Sequence, residues 1–251
     1  MANNPKWITL TGTDGRKFAT DARLRAEPPT PPNVDLDYWP LFDEAGDESS
    51  NNHAATLVST GPTRVADGDL FVASFSGTVA LHFPLTVPSE WTIIVAAKPD
   101  DITNFKHLCG AGPSGAANAD RWGVLYLRDT PSSADGGIRV IWGDDTNACR
   151  IDSDDAVFSA SDYACLGIRF TTGTADVDIV AGLDDVGTTV TEGNATTCAP
   201  PQHPFYIGMG GAYTSQKWAG KIARLWVWRK SLSNREFDYR LGQMRDAYCG
   251  L

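Results

Sequence analysis

The 251-residue sequence has few of the side chains that carry catalysis or bind zinc. Its four histidines lie far apart, and no histidine or cysteine cluster has the spacing of a zinc site. Glycoside hydrolysis needs two carboxylates in one cleft, but the closest acidic pair, Asp176 and Asp178, lies beside a turn where exposure to solvent is expected. The glycine-rich stretch 208–211 lacks the lysine and the helix of a phosphate-binding loop. We therefore expect a protein that is not an enzyme.

Long apolar segments are also missing from the chain. The N-terminus has no apolar core of a signal peptide, and no stretch approaches the length of a membrane span. The five cysteines are odd in number and form no Cys-x-x-Cys pair. We expect synthesis in a cytoplasm that keeps the thiols reduced, and no insertion into a membrane. Most cysteines are then small buried apolar residues, of which Cys165 is the clearest.

Positive charge is scarce, and its distribution is uneven. The formal net charge is −10, which argues against a nucleic-acid-binding surface. Residues 1–33 carry five basic and three acidic side chains, so the remainder of the chain has a net charge of −12. A weakly basic arm on an acidic body suits docking on an acidic neighbour or on another copy of the chain, and ordinary scatter of charge is the alternative.

The sequence is rich in turn formers and short apolar stretches. With 24 Gly and 15 Pro, it favours short strands over helices. Several stretches alternate with period two, as in 166–170, where Leu166, Ile168 and Phe170 share one face. The pattern predicts an all-β, two-sheet antiparallel sandwich. Near the C-terminus, Ser233 and Glu236 form a capping box, which predicts a short helix after the last strand.

A proline run divides the chain. Residues 28–32 read Pro-Pro-Thr-Pro-Pro, a sequence that stays extended and acts as a stiff spacer. We place a boundary after it, with residues 1–33 as an N-terminal arm that contains the polyproline spacer and residues 34–251 as one domain. The arm is expected to pack on the body or on a partner.

An ordered series of segments resembles a known family. It consists of Trp39–Asp43 with the loop 47–53, Phe75–Gly77, Trp91–Pro99, Tyr163–Phe170, Val177–Leu183, Phe205–Gly208 and Gly220–Glu236. The series is similar to the concanavalin A-like jelly rolls and, within them, to the laminin G-like domains. The resemblance covers about residues 36–240 and implies a jelly-roll sandwich. The group includes lectins, glycan-binding modules, adhesion domains, glycosidases and structural shells, so function has to be argued separately.

The resemblance also implies a candidate calcium site, the only cofactor that we consider. Asp47, Asn51 and Asn52 occupy the loop where the family often supplies oxygen ligands. The closing strand of the family usually carries Asp-Glu, whereas this chain has Ala223 and Arg224, which removes a carboxylate and adds a cation. The alternative is a turn held by side chain to backbone hydrogen bonds.

Aromatic residues suggest two kinds of surface. In the closing strand, Trp226 and Trp228 share one face and Leu225 and Val227 share the other. If the latter face the core, the tryptophans point outward and mark either an interface or a face covered by another segment, such as the N-terminal arm. The interface residues would then include Trp7, Ile8 and Leu10 of the arm. Reversed faces or burial of both faces are the alternative, and a sugar platform is a third.

Two other aromatic residues suit stacking on a sugar better than the closing-strand tryptophans. Tyr213 and Trp218 flank a polar loop, and exposed rings beside polar groups suit the apolar faces of sugars. They are the candidate carbohydrate-binding residues.

Two function hypotheses follow. The first is a non-enzymatic structural protein at the surface of a bacterial virus, such as a capsid decoration, head fibre or tail protein. It would form homo-oligomers, and its arm would dock on neighbouring subunits. The second is a glycan-binding adhesin or lectin-like module, with or without calcium. Cell-surface glycan is the partner in the second case, and nucleic acid is the partner in neither.

Overall fold

Two antiparallel sheets and one helix make up the described part of the chain. The computed structural model describes residues 28–40, 46–86, 90–103, 105–111, 122–130, 133–143, 148–153, 156–170, 177–181, 184–185, 188–192, 204–210 and 216–249. Each sheet has eight strands within these residues. The predicted all-β, two-sheet sandwich with a short C-terminal helix is confirmed.

The first sheet has the strand order β13-β12-β11-β6-β16-β4-β3, and β1 pairs with the C-terminal part of β16. Its strands are β1 (Leu36–Tyr38), β3 (Thr63–Asp67), β4 (Leu70–Ser76), β6 (Trp91–Pro99), β11 (Ala164–Phe170), β12 (Val177–Ala181), β13 (Asp184–Asp185) and β16 (Ala219–Trp228). Central strands β6 and β16 are almost wholly buried, because helix and sheet cover their two faces.

The second sheet has the order β14-β10-β9-β8-β7-β15-β5-β2. Its strands are β2 (Thr56–Val58), β5 (Ala80–Phe83), β7 (Lys106–Ala111), β8 (Trp122–Thr130), β9 (Ser133–Gly143), β10 (Ala148–Ser153), β14 (Thr188–Glu192) and β15 (Phe205–Ile207). Strand β2 lies at one edge, so its three residues have a neighbour on one side only within the described chain.

The main core fills the space between the sheets. Leu166, Ile168 and Phe170 of β11 point into it, as the period-two alternation predicted. From the second sheet, Phe205 and Ile207 of β15 point into the same core. Side chains alternate across a strand, so the residues between these positions lie on the outer faces of the sandwich.

A second core covers the outer face of the first sheet. Helix α1 (Asn234–Tyr248) lies there and buries Phe237, Leu241 and Met244. Its start is set by Ser233, whose hydroxyl accepts a hydrogen bond from the Glu236 amide, as the capping box predicted. The helix therefore belongs to the body of the sandwich.

A buried ion pair joins the start of the described chain to the closing strand. Asp37 in β1 and Arg224 in β16 are both inaccessible to solvent, and two hydrogen bonds of 2.8 and 2.6 Å join them. Arg224 also donates to the carbonyl of Pro28 and, at 3.4 Å, to the Thr30 hydroxyl. Burial acts to lower the pKa of Arg224, but the bonds and charge of Asp37 outweigh it and raise the pKa. The described part of the proline spacer thus contacts the body.

A disulfide attaches the C-terminal end of α1 to the first sheet. Cys165 in β11 and Cys249 are bonded, with Cα atoms 6.1 Å apart, a normal span for a disulfide. The prediction that Cys165 is a reduced, apolar residue is therefore wrong for this pair, because folding brings together two cysteines that lie 84 residues apart. Cys109 fits that prediction: it is unbonded and buried in the main core, and burial raises the pKa of its thiol.

Candidate functional site

The outer face of the second sheet carries a row of residues that crosses four strands. The strand register aligns Thr56 of β2, His82 of β5, Tyr206 of β15 and Gly110 of β7. Directly paired residues share a face, and the neighbours of Tyr206 along β15 point into the main core. The row therefore faces away from the core. We call it the cross-strand row.

Two aromatic rings stand at the centre of this row. The rings of His82 and Tyr206 are 5.6 Å apart and nearly perpendicular, at 81°. Both side chains are half-buried, so parts of the rings reach solvent. On the far side of Tyr206, Gly110 is buried and closes one end of the row, and at the other end Thr56 is exposed. The rings form a corner in which one ring can lie under a ligand while the other stands beside it.

The two hydroxyls of the row, on Tyr206 and Thr56, are neutral hydrogen-bonding groups. Burial raises the pKa of the Tyr206 hydroxyl, so it is protonated at neutral pH and both donates and accepts. The Thr56 hydroxyl has the same dual capacity. An imidazole can do likewise through its two nitrogens when neutral. The row therefore suits a ligand whose own groups are hydroxyls.

A parallel row of the same face holds charges that are already paired. His107, Arg139 and Asp152 are in register across β7, β8, β9 and β10. The Arg139 guanidinium makes two hydrogen bonds to the Asp152 carboxylate, one of them 3.0 Å long, and its carbon lies 5.8 Å from the centre of the Phe105 ring. His107 contacts the Gln216 side chain at 3.1 Å. These groups stabilise the sheet face beside the cross-strand row.

The structure corrects the interface predicted at Trp226 and Trp228. Leu225 and Val227 do face the main core and the tryptophans do lie on the opposite face, as predicted. Both tryptophans are nevertheless 0% exposed, because they pack in the second core under α1. Their rings also meet edge to face, 6.0 Å apart. The same core contains residues of α1 and β4 together with Val34, so no outer surface is left at this pair.

Trp218 is likewise not a sugar platform. It is 0% exposed and packs in the main core, with its ring 5.7 Å from that of Phe158. Its indole has no face to offer to a ligand. The other predicted residues of these two sites, Tyr213, Trp7, Ile8 and Leu10, lie outside the described residues.

The predicted calcium loop is a hydrogen-bonded turn. The Asp47 carboxylate is buried and accepts from the amides of Asp37, Ser49 and His53 at 3.0, 2.9 and 2.8 Å. Burial acts to raise the pKa of Asp47, but these bonds outweigh it and lower the pKa. The carboxylate is thus committed to backbone donors, the arrangement given as the alternative.

The amides that follow Asp47 do not join it as ligands either. The Asn51 side chain donates to the Asp35 carbonyl at 3.1 Å. Asn52 is exposed and has a φ of 47°, a conformation that asparagine tolerates in turns. Across the part of the chain that the structure describes, no three His, Cys, Asp or Glu side chains gather as a metal site.

A second polar cluster lies on the first sheet, beside α1. The Asp67 carboxylate contacts Lys98 at 2.7 Å, Lys221 at 3.0 Å and the Tyr163 hydroxyl at 2.8 Å. Burial acts to raise the pKa of Asp67, but the bonds from Lys98, Tyr163 and Lys221 outweigh it and lower the pKa to about 2. The cluster is an internally satisfied network that joins β3, β6, β16 and the start of β11.

Sequence reasoning missed His82 and Tyr206, although a signal for both was present. Each lies between two apolar residues of a short strand, in Leu81-His82-Phe83 and Phe205-Tyr206-Ile207. Alternation alone therefore predicts that both rings point away from the core. The pairing of β5 with β15, which makes them neighbours, joins segments more than 120 residues apart.

Among the described residues, no helix is long and apolar enough to cross a membrane.

Comparisons with known proteins support the sandwich. No protein-family model and no curated protein matches the chain. Its fold is similar to domain 4 of AbnA, an extracellular arabinanase from Geobacillus stearothermophilus, solved in complex with arabinotriose. That domain is 12% identical with a TM-score of 0.60, over 84% of this chain and 98% of the domain.

Two toxin domains are also similar. The binding domain of Paraclostridial Mosquitocidal Protein 1 is 12% identical with a TM-score of 0.63, over 83% of this chain and 52% of that one. The binding domain of botulinum neurotoxin serotype G is 10% identical with a TM-score of 0.57, over 83% and 50%. The chain thus spans about half of each toxin domain. At these identities the likeness shows the fold alone. None of the three is named as a laminin G-like domain, so that finer resemblance stays a prediction.

Proposed function

We propose that the protein is a non-enzymatic glycan-binding module and that the cross-strand row is its binding site. The observation that carries the proposal is the His82–Tyr206 ring pair, half-buried on an outer sheet face. The C–H faces of a sugar stack on an aromatic ring while its hydroxyls bond to nearby polar groups. The corner formed by the two rings, with the Thr56 hydroxyl beyond His82, has both elements.

Fold likeness supports this proposal. Domain 4 of the arabinanase AbnA was solved with arabinotriose, and it matches this chain over nearly its whole length. The toxin domains are binding domains by name. Binding of sugars by a module of this architecture therefore has a solved precedent.

The test is a binding measurement on the full chain. Isothermal titration against neutral oligosaccharides, arabinotriose among them, should give saturable binding. Tyr206→Ala should weaken it about tenfold or more, since the substitution removes the stacking ring. The control is Tyr239→Ala, because Tyr239 is 60% exposed on α1, against the other sheet. It should leave affinity unchanged.

Three outcomes would contradict the proposal. They are an absence of binding across a broad glycan array, binding that Tyr206→Ala leaves intact, or equal losses in the Tyr206 and Tyr239 variants. Unfolding curves should show that both variants stay folded under the assay conditions, with some loss of stability in Tyr206→Ala because that ring is half-buried and packs against His82. A Tyr206→Phe variant keeps the ring and separates stacking from the hydroxyl's hydrogen bonds.

The assembly hypothesis loses one of its supports. It relied on outward-facing tryptophans, and Trp226 and Trp228 are covered by α1. The arm residues that would dock on a neighbour lie outside the described residues. Placement at a virion surface, docking on other subunits and homo-oligomer formation stay predictions. We do not propose them as the function.

A further inference from the structure

We infer that the cross-strand row binds an uncharged oligosaccharide, with the sugar chain laid across the strands of the second sheet. This inference rests on the proposed function and names the ligand class. Three features of the described residues carry it: the hydrogen-bonding chemistry of the row, the pairing of the charges beside it, and its length.

The hydrogen-bonding groups of the row match hydroxyls. Tyr206 and Thr56 carry hydroxyls, which donate and accept, and a sugar hydroxyl does the same. An acidic sugar presents a carboxylate or sulfate that only accepts, and it needs a cation or several converging donors when desolvated. The described members of the row, Thr56, His82, Tyr206 and Gly110, include neither lysine nor arginine.

Two cations of the second sheet, Arg139 and Lys106, are paired with carboxylates of the protein. Arg139 is 9% exposed, and its guanidinium forms a two-point contact with Asp152. Lys106 is buried and bonded to Asp101, whose side chain is 47% exposed. To bind an acidic sugar, Arg139 would have to leave Asp152, and an unpaired buried carboxylate is strongly unfavourable. The charges of this face therefore do not select an anionic ligand.

The geometry of the row favours a chain over a single sugar. Its solvent-accessible positions, Thr56, His82 and Tyr206, lie on adjacent strands, and two inter-strand steps of about 4.8 Å give a length of roughly 10 Å. The accessible part of the row runs from the exposed edge strand β2 over the two rings and ends before Gly110, which is buried. A ligand that contacts both Tyr206 and Thr56 must bridge β5, so it has to be an oligomer.

The experiment compares ligands by length and by charge on the full chain. Titration calorimetry would use linear arabino-oligosaccharides from the monosaccharide upward, and oligogalacturonides of matched length as the acidic series. We expect neutral affinity to rise with length until the row is filled and then to level off. The acidic series should bind about tenfold more weakly or not at all, because its carboxylates lack partners. Salt concentration should have little effect on the neutral series.

Variants at the end of the row make the test specific. Thr56→Val removes a hydroxyl with little change in shape, so it should weaken the longer ligands and leave the shortest binding ligand unaffected. Thr56→Lys places a cation on the row and should improve binding of the acidic series. Thr56 is exposed on an edge strand, so both variants should fold.

The results distinguish the inference from the proposed function. If the acidic series binds more tightly than the neutral one and Tyr206→Ala abolishes binding of the acidic series, the module binds glycans but the inferred neutral ligand class is wrong. If a monosaccharide binds as tightly as the oligomers, the cross-strand placement is wrong. If Thr56→Val affects all lengths equally, the same conclusion follows. If neither series nor a broad array binds, the proposed function fails and the inference fails with it.

Discussion

Removal of the Asp37 carboxylate should be among the most destabilising single changes in this protein. Asp37 and Arg224 are both 0% exposed, and the carboxylate and guanidinium face each other through bonds of 2.8 and 2.6 Å. In the variant Asp37→Ala, the Arg224 guanidinium stays in an interior site without its counter-charge. It remains charged there, because arginine does not lose its proton in proteins. Loss of one partner of a buried pair costs about 3–5 kcal/mol of unfolding free energy. Native domains have about 5–15 kcal/mol in total, so the loss is a large share.

The assay is urea unfolding followed by tryptophan fluorescence and circular dichroism. Fluorescence suits this site because the Arg224 guanidinium lies 4.2 Å from the Trp39 ring and 5.1 Å from the Trp226 ring. The matched control is Asp246→Ala. Asp246 pairs with Arg245 at 2.8 Å, but its side chain is 72% exposed. An exposed pair contributes little, so the change should be well under about 1 kcal/mol.

A double variant tests the reason for the loss. In Asp37→Leu with Arg224→Met, no buried charge remains, and apolar side chains replace the pair. Such replacements are often neutral or stabilising. We therefore expect the double variant to recover most of the stability lost in Asp37→Ala. The reasoning is refuted if Asp37→Ala costs no more than the Asp246 control, or if the double variant is as unstable as the sum of its single variants.

Two further predictions concern α1 and its attachment. Reduction of the Cys165–Cys249 disulfide should lower the unfolding free energy by about 2–4 kcal/mol, since the bond closes a long loop. A double variant, Cys165→Ser with Cys249→Ser, should be insensitive to reductant. Equal stability of the parent with and without reductant would contradict the bond. Gly242→Ala should stabilise the protein by about 0.5–1 kcal/mol, because a Cβ there meets no atom within 4 Å and the helix gains a better helix former. Gly167→Ala should instead destabilise the protein by about 1–3 kcal/mol, because the Cβ of the new alanine would lie 2.6 Å from the Phe237 ring. Thermal unfolding that ranks the Gly242 and Gly167 variants the other way would refute the packing of α1.

Local pattern predicted the elements of this fold. Alternation in 166–170 placed Leu166, Ile168 and Phe170 towards the core, and the capping box placed the start of α1 at Ser233. In the closing strand, alternation separated Leu225 and Val227 from the two tryptophans. These predictions succeed because period-two side-chain direction and helix capping depend on residues that are close in sequence.

What covers each face could not be predicted in the same way. Trp226 and Trp228 are apolar side chains on an outer face, and an interface, an arm or a helix would bury them equally well. The structure places α1 and Val34 in one core with the tryptophans. The helix is held at one end where Arg169 donates to the Leu232 carbonyl at 2.9 Å and at the other by the disulfide from Cys249. Both contacts join residues more than 60 positions apart.

The predicted calcium loop shows the same difference between what local pattern and what distant contacts can decide. From the sequence alone, Asp47 was open to two interpretations, as a metal ligand or as a turn former, because the residue type suits both. The structure decides for the turn, since the backbone amides of Asp37, Ser49 and His53 converge on that carboxylate.

Pattern in the sequence was enough to predict a β-sandwich with a capped C-terminal helix and the alternating direction of side chains along its strands. The burial of Trp218 and of the closing-strand tryptophans, and the contact between His82 and Tyr206 on an outer face, became known from the folded structure. The two differ because the direction of a side chain along a strand is a local property of the backbone. Strand order and helix docking instead depend on contacts between distant segments, such as the pairing of β5 with β15.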